Sequence, residues 1–294
     1  MTRLTKICTS FVVVSLMFAG QSYAVDPDSI LGIWLLDEGQ GDMTEDGSGN
    51  GNDGTLMNGP DWVAGQSGGA LSFIGSSTYV DFGTAEMLNT DVFSVSFWAN
   101  FPATQGWNHM VSRGSHVAGG TPGSVNWGVM MVTGEEIFLF ESFNDTGWTG
   151  VRAPTSAGEW HHVVATFSGT EIQLFHDGAL AAATGGGVLL DESRPLVIGA
   201  RSDAGGAGGY FDGSIDEVGY FNTVLSEEDI LAIMNNGLGE FTAGKKATKP
   251  GPANQDPDAN RDRGLNWTAS SLAATHNVYF GTSFDDVTAA TAAD

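Results

Sequence analysis

The chain has 294 residues, of which 35 are acidic and 11 are basic, so its formal net charge is −24 at pH 7. This acidity excludes nucleic acid and anionic membrane surfaces as partners, because both are themselves negatively charged. The single cysteine, Cys8, lies in the apolar N-terminal run, so the rest of the chain must depend on core size or bound metal rather than on disulfides.

The first 24 residues have the pattern of a secretory signal peptide. Arg3 and Lys6 precede a mostly apolar run over 7–19, and Ser22-Tyr23-Ala24 forms a cleavage site of the small-x-small type. We therefore expect a secreted protein, extracellular or at the cell surface, with the periplasm as the alternative. No later apolar run is long enough to predict a membrane span.

Alternating apolar and polar residues predict many short strands. In FSVSFWANF (93–101) the odd-numbered positions are apolar and most of the even-numbered ones are polar, which is typical of a half-buried strand. Asp177-Gly178 predicts a hairpin turn. Further strands are predicted at 30–36, 70–75, 78–83, 109–114, 126–132, 136–142, 161–169, 171–176, 196–200 and 214–221.

The last of these strands contains an unusual carboxylate. Regular alternation would place Asp216 on the same face as Val218 and Tyr220, with Glu217 on the opposite face. An unpaired buried charge is costly, so we expect Asp216 to have a compensating partner.

One short helix follows this strand. Ser226 and Asp229 predict a capping box, Leu225 and Ile230 a hydrophobic staple, and Gly237 the end of the helix. An apolar stripe is expected at Ile230, Leu231 and Met234. Because no helices alternate with the strands, the pattern predicts an all-β, antiparallel two-sheet sandwich or jelly roll with one short C-terminal helix.

The C-terminal part changes in composition. Residues 242–264 are polar and rich in proline, which predicts a linker. Strand-like segments return in 265–294 and predict part of a small β module. An EF-hand-like spacing is present at Asp256, Asp258, Asn260 and Asp262. Arg261 and Trp267 occupy the positions that need Gly and Glu, so an acidic linker is the better interpretation.

Four ordered blocks carry a family resemblance: GIWLLDEGQGDMTEDGSGNGNDGTL, ALSFIGSSTYVDFG, GEWHHVVATFSGTEIQLFHDGAL and FDGSIDEVGYFNTVLSEEDI. Together they make residues 30–241 resemble LamG-like jelly-roll domains of the concanavalin A-like lectin/glucanase superfamily. The resemblance implies two antiparallel sheets that often carry calcium and often bind glycans. The tail from about residue 250 resembles the first half of fibronectin type III-like modules.

Calcium is the cofactor that these residues favour. The glycine-rich segment EDGSGNGNDG (45–54) offers carboxylate and amide oxygens, which are the ligands that calcium prefers. The resemblance implies that the opening and closing strands lie near each other, so a Ca²⁺ site is predicted at Asp46, Asn50 and Asp216. Two alternatives remain: amides of that loop hydrogen-bond to Asp216, or the loop is a set of Asx turns.

Catalytic signatures are weak, and we expect no enzymatic activity. Glucanases of this broad fold carry an E-x-D-x-x-E strand, but here Ser214 replaces the first Glu, and Asp216 and Glu217 are adjacent. His161 and His162 are expected to be structural, one buried and one exposed. The other histidines show no metal-ligand spacing.

A ligand site is predicted at Trp148, with Asn144 and Asp145 beside it, because exposed aromatic rings stack on sugars. Tyr210 is a weaker candidate, and Trp107 and Trp127 are expected in the core. The sequence thus favours a secreted, calcium-stabilised, non-catalytic binding or adhesion module for a glycan or an extracellular surface protein. The alternatives are a structural spacer of a larger surface protein and a polysaccharide hydrolase or lyase.

Overall fold

The structure is a computed structural model. It describes residues 25–84, 88–103, 106–113, 126–132, 137–144, 147–186, 195–203, 206–242, 248–251 and 266–268. The predicted signal peptide, 1–24, lies outside the described residues. So do most of the predicted linker and of the fibronectin type III-like segment, so those predictions stay untested.

The regular secondary structure in the described part of the chain is almost entirely strand. A 3-10 turn at Pro27–Ser29 precedes the first strand, and the helices are α1 (Glu227–Asn236) and α2 (Gly239–Thr242). The strands are β1 (Ile30–Trp34), β2 (Met43–Thr44), β3 (Gly54–Met57), β4 (Asp61–Ala64), β5 (Gly69–Ile74), β6 (Tyr79–Asp81), β7 (Phe93–Asn100), β8 (Asn108–Arg113), β9 (Asn126–Met131), β10 (Ile137–Asn144), β11 (Gly147–Pro154), β12 (His161–Phe167), β13 (Glu171–His176), β14 (Ala179–Gly185), β15 (Leu196–Ile198), β16 (Arg201–Asp203), β17 (Gly206–Gly208), β18 (Asp212–Phe221), β19 (Thr248–Gly251) and β20 (Asn266–Thr268).

Two antiparallel sheets form the sandwich. The first sheet has the order β14-β13-β12-β7-β18-β5-β4, with β1 also paired to β18, and the second has the order β11-β10-β9-β8-β15-β6-β3-β2. This arrangement confirms the predicted fold class. Each strand predicted from alternation is present, because alternation marks strands that pack one face on the core.

The main core fills the space between the sheets and is rich in aromatic rings. Phe93 of β7 stacks on Trp127 of β9 with ring centroids 4.7 Å apart, and Tyr220 of β18 lies beside both rings. A second apolar cluster lies on the outer face of the first sheet, where α1 covers Val164, Phe175 and Phe221. The second sheet therefore offers the outer face that α1 leaves uncovered.

Helix α1 begins as predicted, with Ser226 accepting the amide of Asp229 and Asp229 accepting the amide of Ser226. The predicted apolar stripe is partly wrong. Ile230 and Ile233 are the buried residues, whereas Leu231 is 43% exposed, because the face turned to the first sheet follows the i, i+3 spacing from Ile230. None of the described helices is both long and apolar enough to cross a lipid bilayer.

Strand β18 departs from regular alternation at a β-bulge. Asp216 pairs with Trp98, Gly219 pairs with Ser96, and Glu217 has a left-handed φ of +46°. The extra residue reverses the alternation, so Asp216 does not share the inward face of Val218 and Tyr220, and that prediction is wrong. Before the bulge β18 pairs with β5, and after it with β1, so Asp216 and Glu217 lie where the partner strand changes.

A small hairpin-like pair lies within the C-terminal region. Strands β19 and β20 are antiparallel, with Thr248 paired to Thr268 and Gly251 paired to Asn266. Part of the predicted linker is thus a strand.

Candidate ligand-binding groove

Two of the residues predicted to bind sugar lie at the end of β10 and the start of β11. The backbone of Asn144 pairs with Gly147 and that of Phe143 with Trp148. Asp145 and the side chains of Asn144 and Trp148 lie outside the described residues, so this site stays a prediction.

The two tryptophans expected in the core differ in solvent exposure. Trp127 is buried at 1% exposure, which confirms the expectation, whereas Trp107 is 49% exposed and the expectation for it was wrong. Trp107 precedes β8 rather than lying within it, so pairing does not hold its ring between the sheets. Among the described side chains, Trp107 is therefore an exposed aromatic surface.

In the predicted calcium site, the side chains of Asp46 and Asn50 form hydrogen bonds with the backbone of β1 and of the glycine-rich loop. Asp46 Oδ1 accepts the amides of Ile33 at 3.0 Å and Ser48 at 2.9 Å, and its Oδ2 accepts the amide of Asn52 at 3.0 Å. Asn50 donates its side-chain amide to the carbonyl oxygens of Ile30 and Leu31. These bonds fasten the glycine-rich loop to β1.

Asp216 has a different set of partners. Its Oδ2 accepts the amide of Ser67 at 2.9 Å, in the turn between β4 and β5, whereas its Oδ1 is buried and has no hydrogen-bond partner. Burial raises the pKa of Asp216 to about 7, against the lowering effect of the Ser67 amide. Burial also raises the pKa of Glu217, whose carboxylate accepts the amide of Leu238 at 3.0 Å. Calcium binding by Asp46, Asn50 and Asp216 stays a prediction.

His161 and His162 point to opposite faces of β12, but both are buried, so the expectation that one is exposed was wrong. His162 bonds the hydroxyl of Ser96 at 2.9 Å, and burial lowers its pKa to about 4. His161 lies beside the rings of Phe101 and Phe138.

A group of polar residues lies on the outer face of the second sheet, centred on Glu141 of β10. In the register of the sheet, Glu141 lies directly between Gly150 of β11 and Gly128 of β9. Both glycines are packed closely: a Cβ on Gly150 would lie 3.3 Å from the Glu141 Cβ, and one on Gly128 would lie 2.9 Å from the His109 ring. The side chains of Leu139 and His109 lie over these two positions, so the glycines let neighbouring side chains pack closely beside the carboxyl group. We call this the Glu141 groove and define it by His109, Gly128, Glu141, Gly150, Arg152 and Arg201.

Glu141 is half-buried in the groove, and burial raises its pKa to about 7. Arg152 of β11 and Arg201 of β16 act in the opposite direction, because their positive charges favour the carboxylate. Burial and charge therefore act in opposite directions on this carboxyl group, and two guanidinium groups lie near it.

The β16–β17 hairpin forms one wall of the groove. It crosses the outer face over Ser112, whose hydroxyl donates to the Ala200 carbonyl at 2.9 Å and accepts the Ser202 amide at 3.3 Å. The amide of His109 donates to Gly209, and Tyr210 then lies near Tyr79 with ring centroids 6.3 Å apart. Arg201 and Tyr210 lie on this wall. Tyr210 pairs with His109 near the start of β8, and the exposed Trp107 precedes that strand.

Sequence reasoning missed the groove. Its residues come from five strands, and only the register of the second sheet and the position of β16 bring them together. The one local signal is Glu141 itself, a carboxylate inside the apolar strand IFLFESFN.

A family model described as the concanavalin A-like lectin/glucanases superfamily, Laminin_G_3, matches residues 74–231, more than half of the chain. The chain belongs to this family. The match agrees with the two-sheet architecture and with the LamG-like resemblance, whereas the fibronectin type III-like tail has no such support. No curated protein matches the chain by sequence.

Solved structures share the fold at low sequence identity. Domain 4 of AbnA, an extracellular arabinanase from Geobacillus stearothermophilus, in complex with arabinotriose, is 15% identical with a TM-score of 0.55, over 70% of this chain and 98% of that one. The binding domain of Paraclostridial Mosquitocidal Protein 1 is 11% identical with a TM-score of 0.56, over 76% of this chain and 55% of that one. The binding domain of Botulinum Neurotoxin DC in complex with SialylT is 13% identical with a TM-score of 0.55, over 76% and 54%. The chain thus spans about half the length of these toxin domains.

Proposed function

We propose that this protein is a secreted, non-catalytic glycan-binding module that holds its ligand in the Glu141 groove. The observation that carries the proposal is a half-buried carboxyl group between two glycines, with Arg152 and Arg201 near it, on the sheet face that α1 leaves uncovered. Extracellular or cell-surface localisation belongs to the proposal through the N-terminal signal pattern.

The chemistry of the groove suits a sugar. Glu141 lies between Gly128 and Gly150 in the register of the sheet, and its carboxyl group accepts hydrogen bonds from hydroxyl groups. The guanidinium groups of Arg152 and Arg201 donate in a planar fork to hydroxyl or carboxylate oxygens. The exposed ring of Trp107, which precedes the first residue of β8, offers an apolar face for stacking.

The comparisons support a binding role without identifying the ligand. A domain of the same fold is known in complex with arabinotriose. Toxin binding domains share the fold with a comparable TM-score. The net charge of −24 favours a neutral glycan over a strongly anionic one, because an anionic polymer would be repelled at long range.

Hydrolysis is the weaker candidate because, among the side chains that the structure describes, the groove supplies one carboxyl group where two are needed. Following the register from Glu141 through Gly128, Ser112 and Val197, the next carboxylate in the row is Asp81 of β6. Four inter-strand steps separate them, or about 19 Å, at about 4.8 Å each. Glycoside hydrolysis needs two carboxyl groups within about 5 to 10 Å.

The proposal is tested with a glycan array of the full chain, followed by calorimetry on the best ligand. We expect Glu141→Gln, Arg201→Ala and Trp107→Ala each to weaken binding at least tenfold. The matched controls Glu171→Gln and Trp62→Ala alter residues of the first sheet and should bind as the wild type does. Absence of saturable binding to any glycan would refute the proposal and favour the structural spacer. Equal affinity in all five variants would also refute it, because the binding site would then lie outside the Glu141 groove.

Calcium enters the proposal as a stabilising ion. Asp216 fits this role because its Oδ1 is buried and has no hydrogen-bond partner, which is the situation that a cation relieves. Asp46 fits less well, since three amides already bind its two oxygens. Asp216 would hold the ion, with Asn50 and Asp46 as the further predicted ligands, and the ion would neutralise the buried charge.

A further inference from the structure

We propose that His161, His176 and Asp177 form a binding site for a divalent transition metal, best suited to Zn²⁺. One atom of each residue meets at a common point. His161 Nδ1 lies 2.9 Å from Asp177 Oδ2 and 3.1 Å from His176 Nε2, and His176 Nε2 lies 3.2 Å from Asp177 Oδ2. Within the described part of the chain, this is the group of three His, Cys, Asp or Glu side chains whose ligand atoms converge in this way.

The size of this triangle matches tetrahedral zinc. Ligand atoms bound at about 2.0–2.1 Å lie about 3.3 Å from one another in a tetrahedron. The three separations of 2.9, 3.1 and 3.2 Å are therefore only a few tenths of an ångström short of a tetrahedral face. Two imidazoles and one carboxylate are ligands that zinc accepts, whereas calcium and magnesium prefer oxygen ligands alone.

The tautomer of His161 favours a cation at this point. His161 Nε2 lies 3.0 Å from the carbonyl oxygen of Ser156, which can only accept a hydrogen bond, so Nε2 carries the proton. In the neutral ring Nδ1 is then an acceptor, and it faces the carboxylate oxygen of Asp177 at 2.9 Å. Two acceptors at this distance repel each other unless a cation or a second proton lies between them.

The same contacts orient the ligands as metal sites require. A ring N–H donated to a carbonyl fixes the orientation of a metal-bound histidine, and Ser156 supplies that carbonyl here. Asp177 Oδ1 accepts the amide of His162 at 2.9 Å, which leaves Oδ2 for the site. The left-handed φ of +49° at Asp177 and the following Gly178 hold the carboxylate in the β13–β14 turn.

The surroundings leave one side of the site accessible. Phe138 packs edge-on against both histidine rings, with centroids 6.1 and 5.4 Å away, and His161 is buried. The Asp177 side chain is 47% exposed, and the Thr155 hydroxyl lies 3.4 Å from His176 Nε2. Solvent can therefore supply a fourth ligand, and the bound metal would fasten β12 to the β13–β14 turn.

The test compares zinc binding by the untagged full chain and its variants after removal of metal with a chelator. By calorimetry and elemental analysis, we expect the wild type to bind one more equivalent of Zn²⁺ than Asp177→Asn or His176→Gln. Zinc should also raise the melting temperature of the wild type only, and excess calcium should not displace it. Asp177→Asn keeps an acceptor for the His162 amide and tolerates a left-handed φ, so it should fold.

The controls are Asp61→Asn on the exposed strand β4 and His109→Gln on the second sheet, which should retain the wild-type stoichiometry. Equal zinc content in the wild type and Asp177→Asn would overturn the proposal. So would a melting temperature that falls in Asp177→Asn but is unaffected by zinc in the wild type, since this result would show a hydrogen-bonded ion pair only.

Discussion

Glu141 is the residue at which burial and charge are most directly opposed. Burial raises its pKa from an ordinary value of 4.5 to about 7, despite the nearby Arg152 and Arg201. The folded state therefore binds this proton more tightly than the unfolded state does. The corresponding stability is fully present below pH 4.5 and is lost as the pH rises to about 7.

This linkage predicts the effect of Glu141→Gln, which cannot ionise. Between pH 5 and pH 8 we expect the free energy of unfolding of the wild type to fall by about 1 to 3 kcal/mol more than that of the variant. Urea unfolding at both pH values measures the difference, and Asp216, whose pKa is also raised, contributes equally to both proteins. Glu171→Gln should behave as the wild type does. Equal pH dependence in the wild type and Glu141→Gln would contradict the assigned environment.

Two glycines have similar left-handed backbone conformations but different surroundings, so alanine substitutions at them distinguish the cost of backbone strain from the cost of overpacking. Gly199 has a φ of +81°, and a Cβ there would lie 2.4 Å from the Phe73 ring. Gly158 has a φ of +86° with no heavy atom within 4 Å of that position. We expect Gly158→Ala to cost about 1 kcal/mol from strain and Gly199→Ala about 1 to 3 kcal/mol more from overpacking. Denaturant midpoints would measure both, and equal costs would mean that the core has room beside Phe73.

Among the elements, α1 begins with a capping box made by two side chains. Ser226 accepts the Asp229 amide at 3.2 Å and Asp229 accepts the Ser226 amide at 2.8 Å. We expect Ser226→Ala to lower the free energy of unfolding by about 1 kcal/mol, since it leaves a helical amide without its partner. Ser76→Ala, in an exposed bend, is the control and should change stability little. Thermal or urea unfolding followed by circular dichroism would measure both, and an unaltered Ser226→Ala midpoint would show that packing alone fixes the helix.

Strands and helix could be predicted from sequence where local pattern and burial agree. Strand β7 alternates clearly, and α1 carries its own cap and stop. Strand β14 was missed because its small residues give no alternation, and β11 because glycine and proline interrupt it. The bulge in β18 was also invisible, since the left-handed Glu217 depends on the change of pairing from β5 to β1.

The sites were less predictable than the elements, because they also depend on strand pairing that the local sequence does not show. Arg152 and Arg201 approach Glu141 only through sheet register and a hairpin that crosses the outer face. His161 and His176 are 15 residues apart, and pairing of β12 with β13 brings them together. Asp216 was correctly singled out as a carboxylate that needs a partner, but its amide donor, Ser67, lies 149 residues away in sequence.

Because the whole molecule carries a large negative charge, the effect of a cation on its melting temperature must be measured against matched salts. With 35 acidic and 11 basic residues, the folded chain repels itself, and any salt reduces this repulsion. A rise in melting temperature with calcium is therefore meaningful only against sodium and magnesium at equal ionic strength. A specific site must also depend on one residue, and the candidate is Asp216, whose Oδ1 is buried without a hydrogen-bond partner.

We accordingly expect calcium at millimolar concentration to raise the melting temperature of the wild type by several degrees beyond matched NaCl and MgCl₂, as about 1 to 2 kcal/mol of binding free energy would do. In Asp216→Asn, which keeps the shape but removes the buried charge, calcium should act no more strongly than magnesium. The variant should also be at least as stable as the calcium-free wild type, because the amide needs no counter-charge. If calcium and magnesium act alike on the wild type, then screening explains the effect, and backbone amides alone must make the carboxyl group at Asp216 tolerable.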